Sequence, residues 1–302
     1  MSTSALVTGA TGFVGSHLVR RLLEDGWGVC AAIRSTSPVD RLPRDHPALR
    51  VRTVDGTARG FRDVLLEADV DVVFHLATRF VSEHGVDDIA ELVATNVGLG
   101  AQLLQGMVDA GVERVVVAST VWCRHGELDD QPVNLYSATK AAFDPILGYY
   151  SAAHDISAVV LELGDNYGPD DPRGKVVSAL IEAAAEGKAL RMSPGDQLLD
   201  LTHIDDVVGA LRVAAERLGQ PSRPRLERFS VLSGEAMTLR QLATEIEGLV
   251  GRDLDVAWGA RDHRPRQVMR PRSGATPLPG WAPSVRFLDG LCSLVTDEPT
   301  NR

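Results

Sequence analysis

The chain has 302 residues, of which 44% are hydrophobic and 24% charged, and its net charge is −10. This composition is that of a soluble globular protein, and the length predicts one large domain with a smaller lobe. The negative charge and the absence of a Lys/Arg-rich run argue against nucleic acid as a partner, and no apolar run reaches the roughly 18 residues of a membrane span. We expect no signal peptide and no metal site, and the three cysteines fit a reducing cytoplasm.

The chain opens with a short apolar strand that ends at Thr8, followed by Gly9, Gly12 and Gly15 and then by a helix. In this context the glycines let the backbone turn tightly and approach a pyrophosphate, which the N–H groups at the start of the helix bind. The spacing therefore predicts a dinucleotide site. A tight turn without a ligand is the alternative interpretation.

The second predicted strand, Gly28–Ile33, is followed by Arg34 and Ser35. An acidic side chain at this point would bond the ribose hydroxyls of NAD, whereas a guanidinium suits a 2′-phosphate. Arg34 therefore favours NADP(H) over NAD(H). The alternative is a solvated arginine at the end of a strand.

Short β-rich runs alternate with helical patterns through the first half of the chain, as in a parallel sheet covered by helices on both faces. Further strands are predicted at Leu49–Val54, Val70–His75, Val112–Ser119 and Ile156–Leu163. Helices are predicted at Gly12–Glu24, Ile89–Ala110 and Leu135–His154. The expected fold class is an α/β Rossmann fold with a doubly wound parallel sheet, whose ligands bind at the carboxyl edge of the strands.

The pattern changes after about Gly164, where a turn-rich loop begins. Beyond it we predict helices at Lys175–Glu186, His203–Leu218 and Leu239–Val250, a strand pair within Ala189–Leu201 and a strand at Phe229–Leu232. The C-terminal segment is rich in Arg, Pro and Gly and has little periodicity. We predict that residues 1–166 form the dinucleotide-binding domain, to which 200–236 return, and that 167–199 and 237–302 form a substrate-binding lobe.

Tyr136 and Lys140 lie four residues apart and therefore on one face of a helix. The unperturbed pKa of a phenol is about 10, and an ammonium together with an oxidised nicotinamide would lower it in a dry cleft. Ser119 and Thr120 end the preceding predicted strand, where a hydroxyl could bond the substrate oxygen as negative charge builds on it. The alternative is that these two hydroxyls satisfy backbone groups. The four residues are the predicted catalytic set.

With these motifs the chain resembles the extended short-chain dehydrogenase/reductase family, in its nucleotide-sugar epimerase, dehydratase and reductase branch. The resemblance covers nearly the whole chain, and its markers are Thr8–Gly15, Phe74–Ala77, Thr95–Val97, Tyr136–Lys140, Asn166–Pro169, Asp200–Asp206 and Pro279–Pro283. It implies Tyr136 as acid/base, Lys140 as its partner, and Ser119 or Thr120 as donor to the substrate oxygen.

The resemblance also implies binding residues. Together with the glycine motif it predicts a dinucleotide site made of Gly9, Thr11, Gly12, Phe13, Val14, Gly15, Arg34, Ser35, Asp55, Gly56, Leu76, Ala77, Thr78, Asn96 and Lys140. It places Asn166 and Lys175 near the sugar diphosphate. Relatives often carry an arginine where this chain has Leu199. The substrate phosphates then need other cations, for which Arg264, Arg266 and Arg270 are the candidates, and the alternative is that these three are surface arginines.

Departures from the family pattern narrow the expected activity. Sugar-nucleotide 4,6-dehydratases carry an Asp-Glu pair directly after the active hydroxyl, whereas here Ser119 and Thr120 run into Val121–Cys123. Dehydratases and many 4-epimerases retain NAD, whereas Arg34 suggests a dissociable NADPH and a net reduction. Residues 119–122 together with 132–136 look most like the 4-ketoreductases of deoxysugar biosynthesis. We therefore expect NADPH-dependent reduction of the C4 keto group of a nucleoside-diphosphate 4-keto-6-deoxy or dideoxy hexose.

Other functions stay open on the sequence. A nucleotide-sugar 4-epimerase would use the same catalytic residues but retain NAD. An NADPH reductase of a small non-nucleotide ketone would share Arg34, and an NADP(H)-binding sensor or scaffold would not need Tyr136 and Lys140. The expected substrate carries thymidine diphosphate, the expected location is the cytoplasm, and the resemblance implies a homodimer through the helices near 89–110 and 135–154.

Overall fold

Strands and helices alternate along most of the chain. The computed structural model describes residues 3–123, 131–220 and 225–296. The strands are β1 (Ser4–Thr8), β2 (Gly28–Ile33), β3 (Leu49–Thr53), β4 (Val72–His75), β5 (Arg114–Thr120), β6 (Ser157–Leu163), β7 (Asp165–Tyr167), β8 (Leu190–Met192), β9 (Leu198–His203), β10 (Leu226–Val231), β11 (Ala236–Thr238), β12 (Val256–Trp258) and β13 (Thr276–Pro277). The α-helices are α1 (Phe13–Glu24), α2 (Ala58–Ala68), α3 (Asp88–Val93), α4 (Leu99–Ala110), α5 (Leu135–Ala153), α6 (Val176–Glu186), α7 (Ile204–Leu218), α8 (Leu239–Val250) and α9 (Phe287–Thr296). A π-helical turn at Ala94–Gly98 joins α3 to α4, and a 3₁₀ turn at Val121–Cys123 follows β5.

The main sheet has eight parallel strands in the order β13-β10-β6-β5-β4-β1-β2-β3 within the described ranges. The order 3-2-1-4-5-6 within it is the doubly wound arrangement, so the predicted Rossmann fold is confirmed. The order in which the strands are added to the sheet reverses between β1 and β4. These two strands are parallel neighbours, with Ala5 opposite Val72 and Thr8 opposite His75. Ligands of such sheets bind outside the carboxyl ends of the strands at this point.

Helices cover both faces of the sheet because its strands bury apolar side chains on both sides. On one face Val7 packs in a cluster with Leu18 of α1 and Leu211 of α7. On the other face its neighbour Leu6 packs in a cluster with Leu104 of α4 and with side chains of α2 and α5. The alternation along β1 thus anchors a helical layer to each side of the sheet.

Side-chain caps determine where two helices begin. At the start of α5 the Asn134 side chain accepts from the Ser137 N–H at 3.0 Å, and the Ser137 hydroxyl accepts from the Asn134 N–H at 3.1 Å. Thr238 and Gln241 form the same reciprocal pair at the start of α8. These caps fix helices that the sequence predicts closely, including α8 with the predicted bounds.

One predicted helix and one predicted strand pair are wrong in detail. The helix expected over Ile89–Ala110 is interrupted by the π-helical turn. The strands β8 and β9 do not pair with each other, since β8 pairs with β12, and β9 lies between β7 and β11. A turn containing Gly195, whose φ of +84° suits glycine, leads the chain away after β8.

The C-terminal segment carries more structure than its lack of periodicity indicates. Strands β12 and β13 are too short to show alternation in the sequence. Helix α9 buries Phe287 and Leu291 in a third apolar cluster, which also contains Leu180 of α6 and Leu242 of α8. The predicted role of this part of the chain in substrate binding stays a prediction. None of the described helices is both long enough and apolar enough to span a membrane.

Candidate active site

A cavity of about 620 Å³ lies at the carboxyl edge of the main sheet, where the turns after β1 to β6 meet the start of α5. Most predicted site residues line it: Gly9, Thr11, Gly12, Phe13, Val14, Gly15, Arg34, Asp55, Gly56, Leu76, Ala77, Thr78, Ser119, Thr120, Tyr136, Lys140, Asn166 and Lys175. The residues from the sequence prediction that do not line it are Ser35, Asn96, Arg264, Arg266 and Arg270. The structure therefore brings the dinucleotide motif and the predicted catalytic set into one cavity.

The glycine motif forms a tight turn between β1 and α1. Gly9 has a φ of +69°, and a Cβ on Gly15 would lie 2.1 Å from the Gly9 carbonyl oxygen. Gly12 precedes α1 and provides no side-chain cap, so the first-turn N–H groups have no partner within the helix. Backbone N–H groups at a helix start, approachable because no side chain covers them, fit a pyrophosphate.

The turns after β2 and β3 form the end of the cavity that lies across the glycine turn from β4 and β5. The Arg34 side chain is 71% exposed, and its Nη1 lies 3.7 Å from Oε1 of Glu91 on α3. Ser35 is exposed and outside the cavity wall. The carboxylate of Asp55 accepts hydrogen bonds from the backbone N–H and the hydroxyl of Thr57, which hold the pKa of Asp55 below its usual range. This end of the cavity thus carries Arg34 and Asp55, two of the predicted cofactor contacts.

The predicted catalytic pair of helix α5, Tyr136 and Lys140, lies in the wall of the cavity, and both side chains are buried. Burial raises the pKa of the Tyr136 phenol, the nearby Cys123 adds to this effect, and a hydrogen bond with Thr78 opposes it. Among the protein's own groups, desolvation of the phenolate outweighs the favourable contacts, and the lowering of the Tyr136 pKa beside an oxidised nicotinamide stays a prediction. Burial lowers the pKa of Lys140 to about 8, against the opposing influence of Cys123 and Asp144. Tyr136 is thus held as a neutral phenol, the form that donates a proton.

The hydroxyl pair ends β5 and faces the same cavity. The Thr120 hydroxyl accepts a hydrogen bond from the Trp122 N–H at 3.2 Å. Because Thr120 accepts in this bond, its own proton remains available for donation. The Ser119 hydroxyl lies 3.9 Å from the sulfur of Cys123. Both interpretations of the sequence are therefore compatible at Thr120: its hydroxyl satisfies the backbone N–H of Trp122, and its proton can still be donated to a substrate oxygen in the cavity.

Asn96 lies behind the cavity wall, although the sequence prediction counts it as a cofactor contact. Its Oδ1 accepts from the Thr78 hydroxyl at 3.0 Å and the Arg79 N–H at 2.8 Å. Its Nδ2 donates to the Arg79 carbonyl at 3.0 Å and to the Thr139 hydroxyl at 2.9 Å. With all four bonds made inside the protein, Asn96 positions the turn after β4 against helix α5.

The predicted substrate residues divide into two groups. Asn166 lines the cavity, and its Oδ1 is buried without a hydrogen-bond partner in the described part of the chain. Lys175 also lines it and pairs with Asp165 at 3.0 Å. Outside the wall, Arg264 pairs with Glu83 at 3.2 Å, and Arg266 donates to the Pro132 carbonyl at 3.0 Å. Arg270 is exposed and also lies outside the wall.

Several lining residues carry no signal in the sequence. The Phe80 ring packs edge-on against Tyr136, with ring centroids 4.9 Å apart, and against Trp122 at 6.0 Å. The Arg173 guanidinium lies 4.2 Å from the centroid of the Phe13 ring. Further such residues are Arg79, Glu91 and Asp165. They lie in turns, on helix α3 or on the short strand β7, and their positions follow from the tertiary fold, so spacing alone does not find them. Among the described residues no group of three or more His, Cys, Asp or Glu side chains could hold a metal ion.

Comparison with known proteins identifies the family. A family model described as the NAD dependent epimerase/dehydratase family matches residues 5–225. The chain belongs to this family. It is 32% identical to the UDP-glucose 4-epimerase of Mycolicibacterium smegmatis, over 96% of each chain. It is 24% identical to the CDP-abequose synthase of Salmonella typhimurium, again over 96% of each chain.

Solved structures of the family share the architecture. The structure of MoeE5 in complex with UDP-glucuronic acid and NAD matches with a TM-score of 0.84 and 28% identity, covering 97% of this chain and 98% of that one. Family membership confirms the resemblance to nucleotide-sugar epimerases and dehydratases. The 4-ketoreductase activity and the preference for NADP(H) stay predictions.

Proposed function

We propose that the protein uses NADPH to reduce the C4 keto group of a nucleoside-diphosphate 4-keto-6-deoxy or dideoxy hexose. The end of β5 is the observation that carries this proposal. Its hydroxyls face the cavity that holds Tyr136 and Lys140, and the next positions, Val121–Cys123, form a 3₁₀ turn without a carboxylate. The site thus has groups that deliver a proton to an oxygen, and the positions directly after its hydroxyl pair, 121–123, do not carry the acid pair with which the related dehydratases move protons at C5 and C6.

The protein's own residues bind and protonate the oxygen of the keto group. NADPH, when bound along the glycine turn, supplies the hydride. Tyr136, kept neutral by burial, donates its proton to that oxygen as negative charge develops there. Lys140 is mostly protonated below its pKa of about 8 and stabilises the phenolate left behind. Ser119 or Thr120 donates a hydrogen bond to the same oxygen.

The nucleotide end of the substrate orients the sugar, because binding energy from remote groups can position the reacting centre. The free Oδ1 of Asn166 suits a sugar hydroxyl, since it is a buried acceptor without a partner in the described chain. Arg173, which donates to the Asn166 carbonyl at 2.9 Å, and Lys175 are cations of the wall close to it. We assign the diphosphate to these two rather than to the three predicted arginines outside the cavity, and we propose thymidine diphosphate as the nucleotide.

The test is NADPH oxidation with freshly made thymidine-diphosphate 4-keto-6-deoxyglucose, with the Tyr136→Phe variant beside the parent chain. We expect NADPH loss in step with substrate loss, and a rate lower by at least about 100-fold in the variant, because the proton donor is removed. Uridine- and cytidine-diphosphate analogues of the sugar test the nucleotide. No NADPH consumption with any of the three sugars would refute the reductase.

A nucleotide-sugar 4-epimerase is the second candidate function. It is favoured by the identity to the Mycolicibacterium smegmatis enzyme and by the NAD in the MoeE5 structure. An epimerase returns the hydride to the sugar within one turnover and so retains its cofactor. NAD⁺ that survives gel filtration and is released by denaturing the purified protein would support this function, together with interconversion of UDP-glucose and UDP-galactose.

We also propose that the protein is a homodimer through the helices near 89–110 and 135–154. Supporting this, Ile89, Val93 and Tyr149 are large apolar or aromatic side chains on these helices that are 45%, 47% and 58% exposed. Light scattering should give twice the chain mass for the parent, and a lower mass for Tyr149→Arg.

A further inference from the structure

An ion-pair cluster lies where the turns after β2 and β4 meet α3. The Glu91 carboxylate sits between two guanidinium groups: Oε1 is 3.7 Å from Arg34 Nη1, and Oε2 is 3.3 Å from Arg79 Nε. Arg79 also pairs with Asp88 at 3.3 Å. We call these four residues, Arg34, Arg79, Asp88 and Glu91, the adenosine-end cluster. Arg34, Arg79 and Glu91 line the cavity.

The position of the cluster identifies the half of the dinucleotide that it would meet. The glycine turn takes the pyrophosphate, and Tyr136 marks the end where the reaction occurs. Arg34 follows β2, on the other side of the glycine turn from β4 and β5. The cluster therefore belongs to the adenosine half, where NADPH carries a 2′-phosphate and NADH a hydroxyl.

The charges of the cluster cancel. Two guanidinium groups face two carboxylates, so the cluster offers no net positive charge to a 2′-phosphate. A carboxylate held by guanidinium groups uses the same donors that a phosphate would use. A phosphate would thus have to displace Glu91 from Arg34, and would meet a negative charge there.

Opening the Arg34–Glu91 pair is only part of the cost to a phosphate. The two side chains are 71% and 46% exposed, and exposed ion pairs contribute little to stability, so the repulsion between the Glu91 carboxylate and the phosphate adds to the cost of opening. We propose that Glu91 is a specificity-determining residue: its carboxylate competes with the 2′-phosphate of NADPH for Arg34 and so weakens NADPH binding relative to NADH. This inference rests on the dinucleotide site of the proposed function. It adds Glu91 on helix α3 to Arg34 after β2 as a residue that determines the preference between NADPH and NADH.

The experiment measures dissociation constants for NADPH and NADH by calorimetric titration of the full chain, without sugar. Glu91→Gln keeps the size of the side chain and removes its charge. We expect the ratio of the NADH to the NADPH dissociation constant to rise about tenfold, which corresponds to about 1.4 kcal/mol. In about 1 M salt, where the Debye length is about 3 Å, this change should shrink.

Glu67→Gln is the matched control. Glu67 is 54% exposed and pairs with Arg52 on β3, and neither residue lines the cavity. The same loss of charge there should leave the ratio unchanged. An equal rise in Glu67→Gln would show that net charge, not competition at Arg34, causes the effect, and would overturn the inference.

A second comparison tests the route through Arg34. Arg34→Ala should weaken NADPH binding, and Glu91→Gln should change the ratio less in that background than in the parent chain. The inference fails if Glu91→Gln changes both dissociation constants equally, or if the parent chain binds neither dinucleotide.

Sugar turnover separates this inference from the proposed function. If the parent chain reduces the sugar but Glu91→Gln leaves the ratio of the NADH to the NADPH dissociation constant unchanged, the inference alone is overturned. A tenfold change in the ratio without sugar reduction would overturn the reductase alone.

Discussion

Asp206 at the start of α7 joins the Rossmann core to the C-terminal segment. It is buried, and its Oδ1 accepts from the Ser284 N–H at 2.8 Å and from the Ser284 hydroxyl at 2.7 Å. Its Oδ2 accepts from the Val285 N–H at 3.1 Å. These bonds precede α9, where the Phe287 carbonyl accepts from the Tyr167 hydroxyl at 3.2 Å. Asp206 therefore supports the strand that carries Asn166.

Replacing Asp206 with alanine should destabilise the protein by about 4 kcal/mol. A hydrogen bond to a charged group contributes about 2 kcal/mol. Ser284 is exposed, so we expect water to replace about half of its two bonds, whereas the bond from Val285 is lost in full. The free energy of unfolding is measured by urea denaturation followed by circular dichroism. With a slope of about 3 kcal/mol per M, the midpoint should fall by more than about 1 M.

Asp205→Ala is the control for this prediction, because Asp205 is the neighbouring residue with a side chain that is 68% exposed. It should cost less than about 1 kcal/mol. Equal shifts of the urea midpoint in Asp205→Ala and Asp206→Ala would refute the reasoning that buried acceptor bonds, rather than charge at the helix start, hold the C-terminal segment.

Further predictions concern pH and the glycine turn. The reduction rate should fall as pH rises through about 8, where Lys140 loses its proton, and Lys140→Arg should move this fall to higher pH. Burial lowers the pKa of His75 to about 3, so between about pH 6.5 and 3 only the unfolded chain takes up a proton at this residue. Stability to urea should therefore decrease as the pH is lowered from about 6.5 to 3, and it should decrease less in His75→Gln. Gly15→Ala should lose NADPH binding in titrations, since its Cβ would meet the Gly9 carbonyl at 2.1 Å, whereas Gly148→Ala, with nothing within 4 Å, should bind normally.

Each of the predictions for Lys140, His75 and Gly15 has an outcome that would contradict it. A rate that is flat to pH 10 would remove the proposed role of the Lys140 charge. Identical pH dependence of unfolding in the parent chain and in His75→Gln would mean that other groups govern stability in acid. Normal NADPH affinity in Gly15→Ala would show that the turn can rearrange.

Local patterns predicted the parts of the site that belong to one turn or one helix. The glycine spacing predicted the turn before α1, and the four-residue spacing placed Tyr136 and Lys140 on one face of α5. Strand ends were also predictable, since Ser119 and Thr120 close an apolar run. These features follow from geometry over a few residues, which sequence alone specifies.

Features that depend on distant segments were not predicted. The partner of Arg34 is Glu91, which lies on another element, and Phe80 reaches Tyr136 only because the turn after β4 folds over α5. The same holds for Asn96, which the sequence assigned to the cofactor and which instead bonds Thr139. The burial that raises the pKa of Tyr136 was likewise not predicted, because desolvation is set by the tertiary packing.

The π-helical turn at Ala94–Gly98 confines one residue of this chain's length to a single turn. A π turn holds one residue more per hydrogen-bonded ring than an α-helix. Loss of a residue other than Asn96 there would leave an α-helical turn, and α3 and α4 would keep nearly their present relative orientation, with Glu91 near Arg34. Loss of one residue within α4 would instead rotate the side chains before it by about 100° relative to those after it. An engineered chain could therefore be shortened at the π turn but not in the helices on either side of it.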